Sequence, residues 1–413
     1  MKKISRRRAL IAGTAGVVGA GLTPLAGQSA DQAARARVPA DPTKVQGRPA
    51  SDVGGRSPFE QPKRVSLNER RTSSQSPLQD LDGIITPSDL HFERHHGGVP
   101  AIDPKNYTLL VHGMVERPLV FTLDDLKRFP GRSVIRFIEC SGNGGRTYRR
   151  EGVPADITPQ MIDGLTSTSE WTGVPLSTLF REVGASPKAT WFLAEGSDAA
   201  VMTRSVPMTI GMDDAMAVYG QNGEALRPEQ GYPVRLLLPG VEGNACVKWL
   251  RRIELSDQPF MTREETSKYT DPLADGSVRQ FSLVMDAKSI ITEPAYPDRL
   301  TGPGWWEVRG LAWSGRGRIT RVEVSADAGK TWRTATLDEP VLPKCHTRFR
   351  YPWRWDGAPA VLMSRATDET GYSQPTLDVL MKARGPQTQY HFNQIRAWRV
   401  AADGVVTFAG AGV

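Results

Sequence analysis

Apolar residues in this chain come in short runs, and glycine, proline or a polar cluster breaks nearly every junction between them. Tyr107 to Val115, Val134 to Glu139, Thr190 to Ala194 and Pro233 to Leu238 are rich in aliphatic and β-branched positions and predict strands. Leu123 to Arg128 and Leu176 to Val183 space their apolar positions as one face of a helix. Short strands interleaved with short helices and much loop predict a mixed α+β domain over residues 77–272.

From about Val278 the pattern changes. Trp305 to Trp313, Ile319 to Ala326, Thr331 to Leu337, Phe349 to Trp355 and Ala360 to Thr367 are short, aromatic or β-branched, and separated by turn residues. Along Thr320 to Ala326 the even positions suit an interior and the odd ones are charged or polar, as a half-exposed strand requires. Residues 278–413 are therefore expected to form an immunoglobulin-like β-sandwich. Ser325 to Trp332 has the form of an Asp-box hairpin and reads as a structural turn.

The N-terminal stretch follows neither pattern. Lys2, Lys3 and Ser5-Arg6-Arg7-Arg8-Ala9-Leu10 precede a run rich in Ala, Gly, Val and Leu that reaches Ala26. A basic start, a short apolar core and small residues near its end predict an export signal over residues 1–30, and Ser-Arg-Arg-x-x-Leu is similar to the twin-arginine form. The mature protein is expected in the periplasm. Residues 31–76, rich in Pro, Gly, Arg, Ser and Asp, predict an extended arm or linker.

The formal net charge of +7 falls to +2 once this segment is set apart. Five basic residues and no acid fall in residues 1–30, which leaves 47 basic against 45 acidic side chains. A body so near neutrality argues against nucleic acid as a partner. No later stretch is apolar enough to predict a membrane span.

Three cysteines, Cys140, Cys246 and Cys345, do not make a disulfide framework, and an odd number in an exported chain points to a thiol with another task. The six histidines lack metalloprotease and zinc-finger spacing, and no Cys-x-x-Cys-His haem motif is present. Cys140 stands out because the apolar run Phe137-Ile138-Glu139 stops at it and a glycine-rich turn, Ser141 to Arg146, follows at once. A thiolate at such a strand end is placed to ligate a soft metal or to act as a nucleophile.

Several segments together resemble the sulfite oxidase family of molybdenum enzymes, from about Phe92 to the C-terminus. Phe92 to Pro100 is similar to that family's Phe-x-Arg-Asn-His-x-x-Val-Pro, and Cys140-Ser141-Gly142-Asn143 to its Cys-Ala-Gly-Asn. Glu195 to Asp198 is similar to Glu-Gly-x-Asp, Gly231 to Arg235 to Gly-x-Pro-x-Arg, and Pro239 to Leu250 to the segment that follows. The shared order and spacing make the set specific.

The resemblance implies a sulfite-oxidase-type molybdopterin domain followed by a dimerisation sandwich. It implies a molybdenum-molybdopterin cofactor with Cys140 as the protein ligand of the metal. Phe92, Arg94, His96, Asp198, Arg235, Val247 and Lys248 would bind the pterin and its phosphate, with Gln230 beside them and Gly97, Gly98 and Gly243 allowing close backbone approach. Arg94, Tyr269, Arg146 and Arg365 are the candidates for handling an anionic substrate. Arg146 falls one place after the family's substrate arginine, where this chain has Gly145. Cys246 is read as packing, His95, His112, His346 and His391 as structural or surface residues, and Cys345 has no assigned role.

Departures from the animal sulfite oxidases refine the expectation. Gln230 replaces a histidine before Gly-x-Pro-x-Arg, the active-site tryptophan has no counterpart near Gln160 and Met161, and a cytochrome b domain is absent. With the tail Tyr390 to Trp398, these features resemble the molybdenum subunits of sulfane dehydrogenases in thiosulfate oxidation. The implied activity is oxidation of sulfane sulfur borne as a persulfide on a carrier protein's cysteine. Electrons would pass to a c-type cytochrome subunit, and the chain would form a homodimer within a hetero-oligomer. The alternative is a periplasmic sulfite dehydrogenase acting on free sulfite. A binding or structural module with Cys140 in its core is opposed by the ordered motif set.

Overall fold

In the computed structural model, residues 46–148, 152–273 and 275–410 are described. The expected export signal lies outside them. Among the described residues, those from Glu60 onward form one compact unit, and 46–59 fall outside it and are exposed. Among the described residues no helix is long and apolar enough to cross a membrane.

Two sheets build the first half of the larger unit. In one, Arg132–Glu139, Thr166–Pro175 and Met216–Gln221 lie side by side and antiparallel, and Arg235–Leu237 also pairs with Met216–Gln221. In the other, Leu119–Thr122, Thr108–Gly113, Leu250–Ser256, Trp191–Gly196 and Thr203–Pro207 follow in that order, with a parallel pair between Thr108–Gly113 and Leu250–Ser256. Trp171, Leu109, Phe180, Phe192 and Ile253 fill one core with these sheets around it. Burial on both faces explains why the strands read as near-continuous apolar runs.

The short helices are held by local chemistry. Leu123–Arg128 starts at a reciprocal capping box between Thr122 and Asp125 and carries Lys127 and Arg128 in its last turn, where the carbonyl ends favour cations. Leu176–Glu182 buries Leu176, Leu179 and Phe180. Helices at Pro159–Asp163, Met208–Met212 and Leu377–Arg384 were not expected from the pattern. The first two have five residues each, too few to show a helical period.

The second half is a two-sheet sandwich. Lys288–Glu293, Gly304–Trp313, Thr347–Trp355 and Thr336–Leu337 make one sheet. Arg333–Thr334, Ile319–Ser325, Ala360–Asp368, Ala397–Val400 and Val406–Gly410 make the other. Trp313, Val322, Val324, Phe349, Leu362 and Trp398 lie between them. The Asp-box hairpin is held from within, since the Asp327 carboxylate accepts from Thr331 N and Oγ1 and Trp332 Nε1 donates to Gly329 O.

Part of the segment expected as an arm is folded onto the first half. Ser73–Ser74 pairs with Glu93–Arg94, Ser76 is fully buried, and Gln160 Nε2 donates to the carbonyls of Lys63 and Gln75 at 2.8 Å each. The composition of residues 60–76 hides this because backbone groups rather than apolar side chains make the contacts.

Candidate active site

The strand Arg132–Glu139 delivers Cys140 to a tight turn. Cys140 N donates to Leu165 O, and Asn143 N returns to Cys140 O, each at 2.9 Å. Gly144 has φ +86°, and a Cβ there would stand 2.7 Å from Asp163 Oδ1, so the turn requires glycine. Glu139, one residue before the thiol, is fully buried and bonds Lys288 Nζ at 2.5 Å, Trp313 Nε1 at 2.7 Å and Asn143 Nδ2 at 2.9 Å. Lys288 and Trp313 come from the sandwich, so the second half of the chain helps to set the loop that carries Cys140.

Cys140 opens on a recess of about 650 Å³, part of it open to solvent. Phe92, Arg94, His96, Asp198, Gln230, Arg235, Val247, Lys248 and Tyr269 line it with Cys140. Every side chain expected to bind a cofactor thus converges on one space, from segments scattered between residues 92 and 248, whereas Gly97 and Gly98 are not in its lining. Gly243 also lines it, and its N donates to Glu139 O at 2.6 Å. A Cβ on Gly243 would lie 2.7 Å from that same oxygen, so the close approach it permits is to the cysteine-bearing strand.

The recess suits an anion. Arg235 is buried and meets no carboxylate: Nη1 reaches Gln230 O at 3.1 Å, Nη2 reaches Cys246 O at 3.0 Å, the guanidinium lies 5.2 Å from the Trp171 ring centroid, and Nε has no hydrogen-bond partner. Loss of water pulls its pKa down to about 10. Lys248 Nζ donates to Glu229 O at 2.8 Å, and loss of water, with Arg235 nearby, pushes it down to about 7. Two poorly compensated cations in one recess are stabilised by a bound phosphate or similar group. Burial raises the pKa of the Cys140 thiol, so a metal bound there would have to draw off its proton.

At the rim, His96 Nε2 lies 2.9 Å from Tyr269 Oη, and Arg94 Nη2 lies 3.4 Å from His96 Nδ1. Desolvation and the Arg94 charge pull the His96 pKa down to about 4, so the ring is neutral near pH 7. Arginine only donates, which places the single imidazole proton on Nε2, facing Tyr269 Oη. The Tyr269 hydroxyl then keeps its own proton for another acceptor. Gln230 is held by Nε2 donating to Phe92 O at 2.9 Å.

Two expected substrate residues are not part of this recess. Arg365, on Ala360–Asp368 of the sandwich, pairs with Glu323 at 2.9 Å and stacks on Trp332 at 4.4 Å. Its strand register directs it to the neighbouring strand, and it is corrected here to a surface pair. Arg146 is exposed and lines a separate depression with Gly142 to Gly145, Asn68 and Met161. It is not among the residues that line the recess.

A family description, Oxidoreductase molybdopterin binding domain, matches residues 96–264, and another, Mo-co oxidoreductase dimerisation domain, matches residues 279–397. The crystal structure of the sulfane dehydrogenase SoxCD from Paracoccus pantotrophus is similar with a TM-score of 0.85 and 44% identity, over 90% of this chain and 97% of that one. The chain belongs to the sulfite oxidase family of molybdopterin oxidoreductases. NADH nitrate reductase 2 of Phaseolus vulgaris is 34% identical over 68% of this chain and 35% of its own length. The NADH nitrate reductase of Solanum lycopersicum is 33% identical over 73% and 38%. This chain therefore spans about a third of the plant relatives it matches.

Membership in the sulfite oxidase family brings a molybdenum-molybdopterin cofactor, and the recess is the candidate place for it. The residues fit that group, since a thiol faces the space and Arg235 offers an unpartnered buried N–H. Cys246 also lines the recess, but its sulfur is engaged with Leu238 N at 3.3 Å, in keeping with packing. Cys345 is buried, and its thiol is pushed up to about 12 by desolvation.

Sequence reasoning missed a buried ionic cluster next to Tyr269. Arg204 Nε donates to Glu265 and its Nη2 to Glu242, each at 2.9 Å. Burial opposes the charge on Glu242, yet Arg204 and His391 hold it down to about 2. His391 Nε2 lies 3.5 Å from Glu242, and the neighbouring Tyr390 ring is 5.2 Å from that of Tyr269. The charges lie in polar or mixed segments such as Thr262 to Lys268, where a charged residue signals neither burial nor a partner without the fold.

Proposed function

We propose that this chain is the molybdenum-bearing subunit of a periplasmic sulfane dehydrogenase. It oxidises sulfane sulfur held as a persulfide on the cysteine of a carrier protein and passes the electrons to a c-type cytochrome. The observation that carries this reading is the 44% identity to a sulfane dehydrogenase structure, extending over 90% of this chain and 97% of that one. The dimerisation domain match favours a homodimer within the larger assembly.

Cys140 would ligate the metal, and Arg235 and Lys248, with Phe92, Asp198, Gln230 and Val247 around them, would hold the pterin and its phosphate. When bound, the cofactor supplies two-electron oxygen-atom transfer to sulfur. Arg94 and the Tyr269 hydroxyl would face the substrate, one offering a fixed positive charge and the other a hydrogen-bond donor. Negative charge on oxygen grows as sulfur is oxidised, and a pre-positioned cation and donor stabilise it without reorganisation. The neutral His96 fixes Tyr269 by donating to its oxygen, so the phenol proton points onward.

The test is reduction of cytochrome c by purified protein, comparing carrier protein loaded with a persulfide against free sulfite. Reduction with the loaded carrier alone is expected. Efficient turnover of free sulfite with indifference to the carrier would overturn the proposal and make the protein a sulfite dehydrogenase. Cys140→Ser should abolish turnover while leaving the fold intact by circular dichroism.

A further inference from the structure

Three segments that reach the recess come from distant parts of the chain, and one side chain ties them together. Arg204 sits in the strand Thr203–Pro207 and is 1% exposed. Through Nε it holds Glu265, in the turn Glu264–Lys268 that runs directly into Tyr269. Through Nη2 it holds Glu242, in the loop that continues through Gly243 and Asn244 to Val247 and Lys248 of the recess wall. Glu242 in turn faces His391, in the tail segment that brings Tyr390 against Tyr269.

The guanidinium of Arg204 also lies over Tyr269 itself, its Cζ 4.9 Å from the ring centroid. Glu265 is bound a second time by Ser205 N at 3.0 Å and by Thr262 Oγ1, so the carboxylate anchors the base of the tyrosine-bearing turn to the strand. Both carboxylates are nearly inaccessible, with side-chain exposures of 3% for Glu242 and 1% for Glu265. A buried cation between two buried anions tolerates little displacement, because moving any member leaves a charge uncompensated. The Tyr269 ring is therefore gripped on its face by Arg204 and flanked by Tyr390, while His96 holds its hydroxyl.

We propose that Arg204 is a positioning residue for Tyr269: clamped between Glu242 and Glu265, it sets the place of the phenol at the substrate side of the recess. This rests on the reading of Tyr269 as the residue that meets the substrate. Arg204 touches neither substrate nor cofactor; it acts through the tyrosine. Lysine at this position keeps a positive charge but not the fork that spans two carboxylates, so charge alone does not replace it.

A double-mutant cycle on the cofactor-loaded enzyme decides the matter, using Arg204→Lys, Tyr269→Phe and the pair, with whichever reduced-sulfur substrate the wild type turns over. Arg204→Lys should lower kcat/KM about tenfold or more. In the Tyr269→Phe background the same change should have almost no further effect, since its route of action is gone. Additive losses would overturn the proposal and leave Arg204 a scaffold residue. Where Arg204→Lys folds poorly, Glu265→Gln serves in the same cycle, because it loosens the turn while keeping the Arg204 to Glu242 pair.

Hydrogen exchange of the cofactor-free proteins gives a readout independent of turnover. Arg204→Lys should speed exchange across residues 264–270 more than in the core strand 166–175. Uniform acceleration, or none, would count against the clamp. If the wild type oxidises neither loaded carrier nor sulfite, the functional reading fails, and exchange alone decides the role of Arg204.

Discussion

At the scale of single residues, the recess is governed by charges that the bare protein accommodates poorly. Lys248 is the clearest case, with its pKa pulled from 10.5 to about 7 by loss of water and by Arg235. Between those two values the unfolded chain holds a proton that the folded, cofactor-free protein lacks. Stability of the cofactor-free protein should therefore rise with pH across that window, and the full cost of the buried ammonium is present below about 7. Binding a phosphate restores the proton, so cofactor affinity should weaken as pH rises above about 7. Comparing wild type with Lys248→Met in denaturation and in cofactor uptake, pH by pH, checks both signs; identical pH profiles would remove Lys248 from the phosphate site. Arg365 carries the opposite expectation. Its pair with Glu323 is part-exposed, and such pairs contribute at most about 1 kcal/mol. Arg365→Ala should leave turnover unchanged, and a large loss of kcat would return it to the site.

At the scale of elements, local sequence rules carry far where an element is closed by its own residues. The helix Leu123–Arg128 has the bounds expected from its apolar spacing because Thr122 and Asp125 cap it reciprocally. Thr122→Ala should cost about 1 kcal/mol in denaturant unfolding without altering turnover. The strand Arg132–Glu139 was legible from Val134 onward, and its end at Cys140 from the glycines that follow. Other elements were not legible. Thr166–Pro175 begins Thr-Ser-Thr-Ser, a polar run that reads as loop, yet Thr166 to Ser169 are fully buried. Their hydroxyls find partners on other elements, Thr166 with His346 at 3.0 Å and Ser167 with Ser76 at 2.6 Å. Such partners lie far off along the chain, so no local pattern announces them.

At the scale of the whole molecule, the cysteine loop and the sandwich share a buried ionic network. Lys288 meets Glu139 at 2.5 Å and Asp163 at 3.5 Å, and Arg396 meets Asp163 at 3.2 Å. Lys288→Met would strand the Glu139 carboxylate in the interior, and losses on removing one buried partner run to about 3–5 kcal/mol. That variant should unfold at lower denaturant and lose molybdenum, although Lys288 lines no part of the recess. Full stability with full metal content would dissociate the sandwich from the site. By itself the amino-acid sequence determined the α+β and sandwich division, the cysteine at a strand end, and the residues from Phe92 to Tyr269 that meet in the recess. The first two follow from periodicity and turn chemistry in short segments, and the third from ordered motifs that resemble those of the family. Only the tertiary structure decided that Arg365 and Arg146 stand away from the recess, and that Arg204, Glu242, Glu265 and His391 gather beside Tyr269. The reason is that a buried charge is defined by the partner that compensates it, and here the partners lie tens to hundreds of residues apart.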